Sequence, residues 1–216
     1  VIMPYLYEGR QHKRSSRESL DCAIALQELV HMGVENIITF DAHDPRVQNA
    51  IPLHGFETVQ PAYQFIKNLL RNQKDLIIDA DHMMVISHDE GGMSRAIYIA
   101  NVLGLDMGMF YKRRDYTRIV NGRNPIVAHE FLGSDVDGLD SFDQAYKEGI
   151  IDRVLTTNLI YQPAELLERE WYVNCSMSKY VAYLIDTLNH DTSISDLLNP
   201  NEKIQKLLMK YRSGKL

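Results

Sequence analysis

The sequence predicts an α/β protein with mostly parallel sheets, because short apolar runs alternate along it with segments of helical periodicity. Strand-length apolar runs lie at 36–40, 83–87, 107–111 and 154–157. Apolar residues recur at the helical period in 19–32, 59–70, 94–103, 178–188 and 201–211. Strands that alternate with helices of this length are typical of βαβ units, in which neighbouring strands run parallel.

Glycines and a polar segment mark the ends of some of the predicted elements. Gly33 and Gly104 follow two of the predicted helices, where a glycine suits the C-cap. The polar stretch 71–75 is the best candidate for a linker. We therefore expect an incomplete N-terminal domain over 1–72 and a C-terminal domain over 73–216, with a tail helix that can pack back on the first domain.

Composition narrows the class of protein. The 216 residues are 45% apolar and 24% charged, which is ordinary for a globular chain. A formal net charge of −6 argues against a nucleic-acid partner recognised by bulk charge, although it allows a local basic pocket. Only two cysteines, and no apolar run of about 18 residues, indicate a cytoplasmic protein with no membrane partner.

Three polar segments follow apolar strands, where ligands bind in open α/β sheets. They are Asp41-Ala42-His43-Asp44, Ser87-His88-Asp89-Glu90-Gly91-Gly92 and Lys112-Arg113-Arg114. The first offers a carboxylate and an imidazole, and the second a carboxylate beside glycines that allow close backbone approach. The third is a basic cluster able to stabilise charge on a transferring phosphoryl group. Together they are the parts needed to handle a metal-bound polyphosphate.

Each segment also has an ordinary structural interpretation. The basic stretch 10–17, whose guanidinium groups suit phosphate, could be a solvated loop. The segment at Asp41 could be a simple loop turn, and the paired glycines a tight turn. The cluster at Lys112 could serve solubility on an edge strand. Taken one at a time, these alternatives stay open.

In combination and in this order, the segments resemble the ribose-phosphate diphosphokinase (phosphoribosyl pyrophosphate synthetase) family. The family's loop of the form Pro-Tyr…Arg-Gln-x-Lys resembles 4–14, and its Asp-x-His resembles 41–43. Its Ser-Pro-Asp-x-Gly-Gly resembles 87–92, and its Lys-x-Arg resembles 112–114. The resemblance covers roughly 1–190.

The resemblance implies two tandem type-I phosphoribosyltransferase-like domains and transfer of the diphosphoryl group of ATP to the 1-hydroxyl of ribose 5-phosphate. ATP, ribose 5-phosphate and Mg²⁺ are then the expected ligands, and the expected assembly is a homo-oligomer, a hexamer built from dimers. The implied roles are ATP binding by Arg10, Gln11 and His43; ribose-5-phosphate binding by Asp89, Gly91 and Gly92; metal binding by His43 and Asp89; and catalysis by Lys112 and Arg114.

The sequence departs from the family pattern in one major respect. The family carries an acidic loop of the form Asp-Asp-x-x-x-x-Gly-Thr/Ser that grips ribose 5-phosphate, and nothing here matches it. We expect that one strand–loop–helix unit is missing near 135–138 and that the N-terminal part is also missing. The alternative functions are a catalytically silent, nucleotide-binding regulatory subunit and, less favoured, a phosphoribosyltransferase.

Overall fold

The computed structural model describes residues 1–14, 17–110, 113–114, 126–128 and 139–216, with 113–114 and 126–128 described as backbone strands alone. It is a mixed α/β fold in which the sheets that carry the site are parallel. Within these described ranges, no helix has the length and apolar character needed to cross a membrane.

The first sheet is parallel and three-stranded, in the order β1-β2-β3. Its strands are β1 (Ile2–Met3), β2 (Asn36–Phe40) and β3 (Gly55–Val59), and the helix α1 (Asp21–His31) connects the first two. β2 is the central strand, pairing with β1 from Ile38 and with β3 along its whole length. Because residues 37–40 of β2 are buried on both faces of the sheet, they form an apolar run broken only by Thr39.

A second parallel pair follows. The helix α2 (Ala62–Asn72) leads to β4 (Met84–Ser87), α3 (Met93–Leu103) and β5 (Asp106–Met109). Strands β4 and β5 pair in register from Met84 opposite Asp106, so α3 is the crossover of a βαβ unit. This arrangement places the start of α3 at the carboxyl end of β4.

The rest of the described chain adds a short antiparallel pair, another parallel pair and the tail helix. The elements are β6 (Arg113–Arg114), β7 (Ile126–Ala128), α4 (Leu139–Lys147), β8 (Val154–Thr157), α5 (Ala164–Leu167), β9 (Tyr172–Cys175), α6 (Ser178–Asn189), α7 (Ser195–Leu198) and α8 (Asn201–Arg212). Strands β6 and β7 are antiparallel, whereas β8 and β9 are parallel.

Buried apolar clusters join these elements. One cluster packs α1 against β2 and the segment after it, around Leu26 and Ile37. Another packs α2 and α3 against the tail helix α8, around Leu70, Leu103 and Ile204. A third joins β2 and β3 to α6 and includes Phe40, Val59, Met177 and Leu184. The α8 contacts with α2 therefore cross the predicted boundary at 72, and the two-domain division stays a prediction.

The α/β prediction is confirmed, and most element boundaries agree to within two residues. The main difference is at 59–70, where Val59 ends β3 and the helix begins only at Ala62, after Pro61. Strands β3 and β9 are additions that the sequence patterns did not predict. The Lys112 segment's first residue and the junction near 135–138 lie outside the described residues.

Candidate functional site

A cavity of about 730 Å³ opens beside the carboxyl end of β2 and the start of α3. Its position fits the general rule that ligands of open α/β sheets bind beyond the carboxyl ends of the strands. Four segments contribute to its wall: the N-terminal basic stretch, the loop after β2, the residue after β3, and the turn into α3 with the first part of that helix. The lining residues are His12, Lys13, Ala42, His43, Asp44, Pro45, Arg46, Gln60, Gly91, Ser94, Arg95 and Tyr98.

The loop after β2 is built around an unusual backbone conformation at Asp41. Its φ of +45° lies in the left-handed region, which costs a non-glycine residue on the order of 1–3 kcal/mol. The neighbouring amides are held by β3, because Asp41 N–H donates to the Val59 carbonyl at 2.9 Å and Ala42 N–H donates to Thr58 Oγ1 at 2.9 Å. The chain then turns so that His43 lines the cavity.

Asp44 organises the far side of this loop. Its carboxylate accepts from the backbone N–H of Arg46, at 3.0 Å, and so caps the 3₁₀ turn Pro45–Ala50. The same carboxylate binds the Arg46 guanidinium through Nε, at 2.9 and 3.0 Å, and lies 3.4 Å from His12 Nε2. The hydrogen bonds from Arg46 hold the pKa of Asp44 well below its usual range, so the carboxylate is ionised.

The surroundings of His43 favour its neutral form. Partial burial lowers the pKa of His43, and the charges of His12, Arg95 and Arg10 lower it further, against a small opposing effect of Asp44. The His12 and His43 rings lie with their centroids 5.1 Å apart. A neutral imidazole keeps a free electron pair on one ring nitrogen, which is the form that binds a cation.

The turn into α3 depends on Gly92. The Asp89 carboxylate accepts from the Gly92 N–H at 3.0 Å, while Ser87 Oγ donates to the Asp89 carbonyl at 2.7 Å. A Cβ on Gly92 would lie 2.9 Å from Ser87 Oγ and 3.0 Å from the His88 ring, closer than side chains normally approach. The glycine therefore allows the backbone to close tightly at the start of α3.

Arg95 connects the two loops. It lies in the first turn of α3, and its Nε donates to Asp41 Oδ1 at 2.6 Å. The same guanidinium donates to the Ala42 carbonyl at 3.2 Å and to the Gly91 carbonyl at 3.3 Å. With Lys13 and Arg46, Arg95 gives the cavity three fixed cations against the carboxylates of Asp44 and Asp41.

The structure brings some of the predicted site residues together. His43 and Gly91 line the cavity, and Arg10 lies near enough to His43 to influence its pKa. The Gln11 side chain donates to the Ser19 carbonyl at 3.0 Å. Asp89 is not among the described residues that line the cavity; its carboxylate accepts from the Gly92 N–H and lies 3.4 Å from His88 Nε2.

The predicted catalytic pair is not described at side-chain level. Lys112 lies outside the described residues, and Arg114 is described as part of strand β6 alone. Their roles stay predictions, as do those of the other proposed site residues.

Within the described ranges, we find no group of three or more histidine, cysteine, aspartate or glutamate side chains that could hold a metal ion. This does not conflict with the donor set expected for Mg²⁺, which is usually bound by one or two protein groups together with substrate phosphates and water. Neutral His43 on the wall is one such group, and the Asp89 carboxylate, in the turn that leads into α3, is a candidate acidic donor.

The sequence patterns assigned no individual role to three charged residues of this wall: Asp44, Arg46 and Arg95. A signal for Arg95 existed, because it is a cation placed three residues after Gly92, in the first turn of a predicted helix. Its partner Asp41 lies 54 positions earlier, so only the fold shows the pairing.

Several curated proteins similar to this chain are ribose-phosphate pyrophosphokinases. The ribose-phosphate pyrophosphokinase 1 of Lactococcus lactis is 27% identical over 129 residues, which cover 58% of this chain and 38% of that protein. The ribose-phosphate pyrophosphokinase of Aquifex aeolicus is 28% identical over 144 residues, 61% of this chain and 44% of that protein. Ribose-phosphate pyrophosphokinase 5 of Schizosaccharomyces pombe is 37% identical over 87 residues, 40% of this chain.

The chain spans less than half the length of these curated relatives. No protein-family model matches the sequence. Among solved structures, the crystal structure of phosphoribosylpyrophosphate synthetase from Mycobacterium smegmatis has the same fold, with a TM-score of 0.63 at 16% identity. The likeness covers 88% of this chain and 71% of that one.

Proposed function

This chain is a relative of the ribose-phosphate pyrophosphokinases, and we propose that it binds ATP with Mg²⁺ and transfers the diphosphoryl group to ribose 5-phosphate. The products would be phosphoribosyl pyrophosphate and AMP. The observation that carries the proposal is the cavity at the ends of β2 and β4, which combines fixed cations, a neutral histidine and the start of a helix. That combination suits a polyphosphate that carries a divalent cation.

The reaction requires positioning more than covalent chemistry. The 1-hydroxyl oxygen of ribose 5-phosphate attacks the β-phosphorus in line and forms an O–P bond. The bond from that phosphorus to the oxygen that remains on AMP breaks, and the hydroxyl proton passes to solvent. Mg²⁺, when bound, would neutralise negative charge on the phosphate oxygens.

Different protein groups would bind the phosphates, the cation and the ribose. Lys13 and Arg46 would bind phosphate oxygens from the cavity wall, and His43 would contact the cation. Arg10 and Gln11 would hold ATP from the N-terminal side. The Asp89 turn, with Gly91 and Gly92, would bind the ribose of the second substrate and order the cation. Lys112 and Arg114 would stabilise charge that develops during transfer.

The test is AMP formation from ATP and Mg²⁺, with and without ribose 5-phosphate, by the intact protein and its Asp89→Asn variant. Asparagine keeps an oxygen that can accept from the Gly92 N–H but removes the charge. Sugar-dependent AMP formation that falls at least tenfold in the variant would support the proposal. Asp75→Asn, at an exposed position in the turn after α2, is the matched control and should keep full activity.

A silent, nucleotide-binding subunit is the second candidate, favoured by the lack of any match to the family's acidic loop in this sequence. It predicts that the intact protein binds Mg·ATP, measured by calorimetry, yet forms no AMP with ribose 5-phosphate present. We also propose a homo-oligomer built from dimers, which light scattering of the intact protein would detect as a multiple of the protomer mass.

A further inference from the structure

Arg95 donates hydrogen bonds to three acceptors on two different segments of the chain. Its side chain is one-third exposed, and its guanidinium donates to Asp41, to the Ala42 carbonyl and to the Gly91 carbonyl. The first two acceptors belong to the loop after β2, and the third belongs to the turn after β4. One side chain therefore links the loop after β2 to the turn after β4, and residues of both segments line the cavity.

The backbone conformation of the loop after β2 requires stabilising contacts of this kind. Asp41 has a left-handed backbone, and the hydrogen bonds from Asp41 and Ala42 to β3 hold the loop from one side only. Arg95 holds it from the other side, through the carboxylate and a carbonyl. The next residue is His43, whose direction into the cavity follows from this turn.

We propose that Arg95 is a positioning residue that clamps the loop after β2 to the turn after β4 and thereby fixes His43 towards a magnesium-bound polyphosphate. This inference rests on the proposed function and names the residue that assembles its site. Arginine is required because its planar guanidinium presents five donors in a fixed fork, whereas a lysine ammonium is a single point that cannot reach three separated acceptors.

The alternative role for Arg95 is direct charge attraction for phosphate. A double-mutant cycle separates the two roles, because an effect that acts through His43 disappears when His43 is removed. Mg·ATP affinity is measured by calorimetry for the unsubstituted protein, Arg95→Lys, His43→Ala and the double variant. Lysine preserves the charge and removes the fork.

We expect Arg95→Lys to weaken Mg·ATP binding by about tenfold, the size typical of losing a residue that orients a metal-binding side chain. In the His43→Ala background the further loss should be less than about twofold. Equal losses in both backgrounds, or no loss in either, would overturn the proposal. Arg71→Lys, on the exposed surface of α2, is the matched control and should change nothing.

A second measurement needs no ligand. Amide hydrogen exchange at Asp41 and Ala42 reports how firmly the loop is held. Arg95→Lys should speed exchange at both amides about tenfold, while amides in α8 keep their protection; unchanged exchange would overturn the clamp. If the unsubstituted protein failed to bind Mg·ATP, the proposed function would be wrong, but faster exchange in the variant would still support the clamp.

Discussion

At the scale of single residues, the Asp44 carboxylate occupies a cation of the cavity wall, Arg46, that could otherwise bind an anionic ligand. Its ionised carboxylate is bound by the Arg46 guanidinium and approached by His12, and the Asp44 side chain is only 12% exposed. The Arg46 side chain is 78% exposed. A polyphosphate that binds Arg46 must therefore compete with Asp44.

Replacing Asp44 by asparagine tests this competition. Asp44→Asn keeps an oxygen to accept from the Arg46 N–H and cap the 3₁₀ turn, but it removes the negative charge. We expect inorganic tripolyphosphate to bind roughly three- to tenfold more tightly, since the ion pair that must be broken is lost and a like charge is removed. Calorimetry at fixed ionic strength measures the change.

The matched control is Asp79→Asn. The Asp79 carboxylate accepts from the backbone N–H of Asp81 and bonds to the His82 side chain, so it stabilises a turn as the Asp44 carboxylate does. Unlike Asp44, Asp79 does not line the cavity. Its substitution should leave tripolyphosphate binding unchanged. Weaker binding in Asp44→Asn would show instead that the carboxylate holds Arg46 in its working position.

Some residues of the site could be predicted from the sequence, but their ion-pair partners could not. The motif pattern identified His43, which lies on the cavity wall, because strand-end histidines and carboxylates have a recognisable spacing. It could not predict that Asp41 forms an ion pair with Arg95 or Asp44 with Arg46, because the partners in an ion pair are set by the folded chain. The sequence placed Asp41 beside His43 as a second donor, whereas in the fold its carboxylate is bonded to Arg95.

At the scale of elements, the turn between β4 and α3 depends on the missing side chain at Gly92. In Gly92→Ala, the new Cβ would crowd buried Ser87, whose hydroxyl is already bonded to the Asp89 carbonyl. We expect a loss of about 1–3 kcal/mol in the free energy of unfolding, the usual range for an overpacked site. Urea denaturation followed by fluorescence of Trp171, the single tryptophan, measures it.

A loss below about 0.5 kcal/mol in Gly92→Ala would mean that the turn can relax and that the glycine is not required there. Tight packing also predicts a functional consequence. Because Gly91 accepts from Arg95, a shifted turn should weaken Mg·ATP binding in the same variant.

The tail helix α8 is attached by a specific polar contact as well as by its apolar face. The Tyr211 hydroxyl donates to the Gln73 carbonyl at 2.8 Å and accepts from the Leu76 N–H at 3.0 Å. Tyr211→Phe would leave both partly buried backbone groups unpaired, so we expect a loss of about 1–3 kcal/mol in the free energy of unfolding. Tyr183→Phe, on the half-exposed side of α6, should change it by less than about 0.5 kcal/mol.

The elements that the sequence predicted are those with a strong local pattern. β2 and β8 were placed at their observed bounds because each consists of apolar or β-branched residues, apart from Asn36 at the start of β2. β3 begins at a glycine and contains Glu57, and β9 contains Asn174, so neither has a clear signal over four or five residues. Both strands form because β2 and β8 supply their hydrogen-bonding partners.

At the scale of the whole molecule, folding also buries groups that ionise at high pH. Burial raises the pKa of Tyr180 to about 12, and its hydroxyl donates to the Leu197 carbonyl. Burial likewise raises the pKa of Cys175 to about 11 and raises that of Cys22. In each case the folded state favours the neutral, protonated form.

The sign of the pH dependence follows from these shifts. Each group has a higher pKa folded than unfolded, so its contribution is complete below the unfolded pKa and is lost as pH rises through the folded value. For Cys175 that window runs from about 9 to about 11, and for Tyr180 from about 10 to about 12. The free energy of unfolding should therefore fall steadily above about pH 9.

Removing the ionisable groups should flatten this fall. In Cys175→Ala/Tyr180→Phe, the free energy of unfolding is lower at pH 8, because a buried volume and a hydrogen bond are lost, but it should decline less between pH 9 and pH 11. Urea midpoints at pH 8, 9, 10 and 11 for both proteins give the two slopes. Equal slopes would show that these buried groups do not set the alkaline limit and that general charge repulsion does.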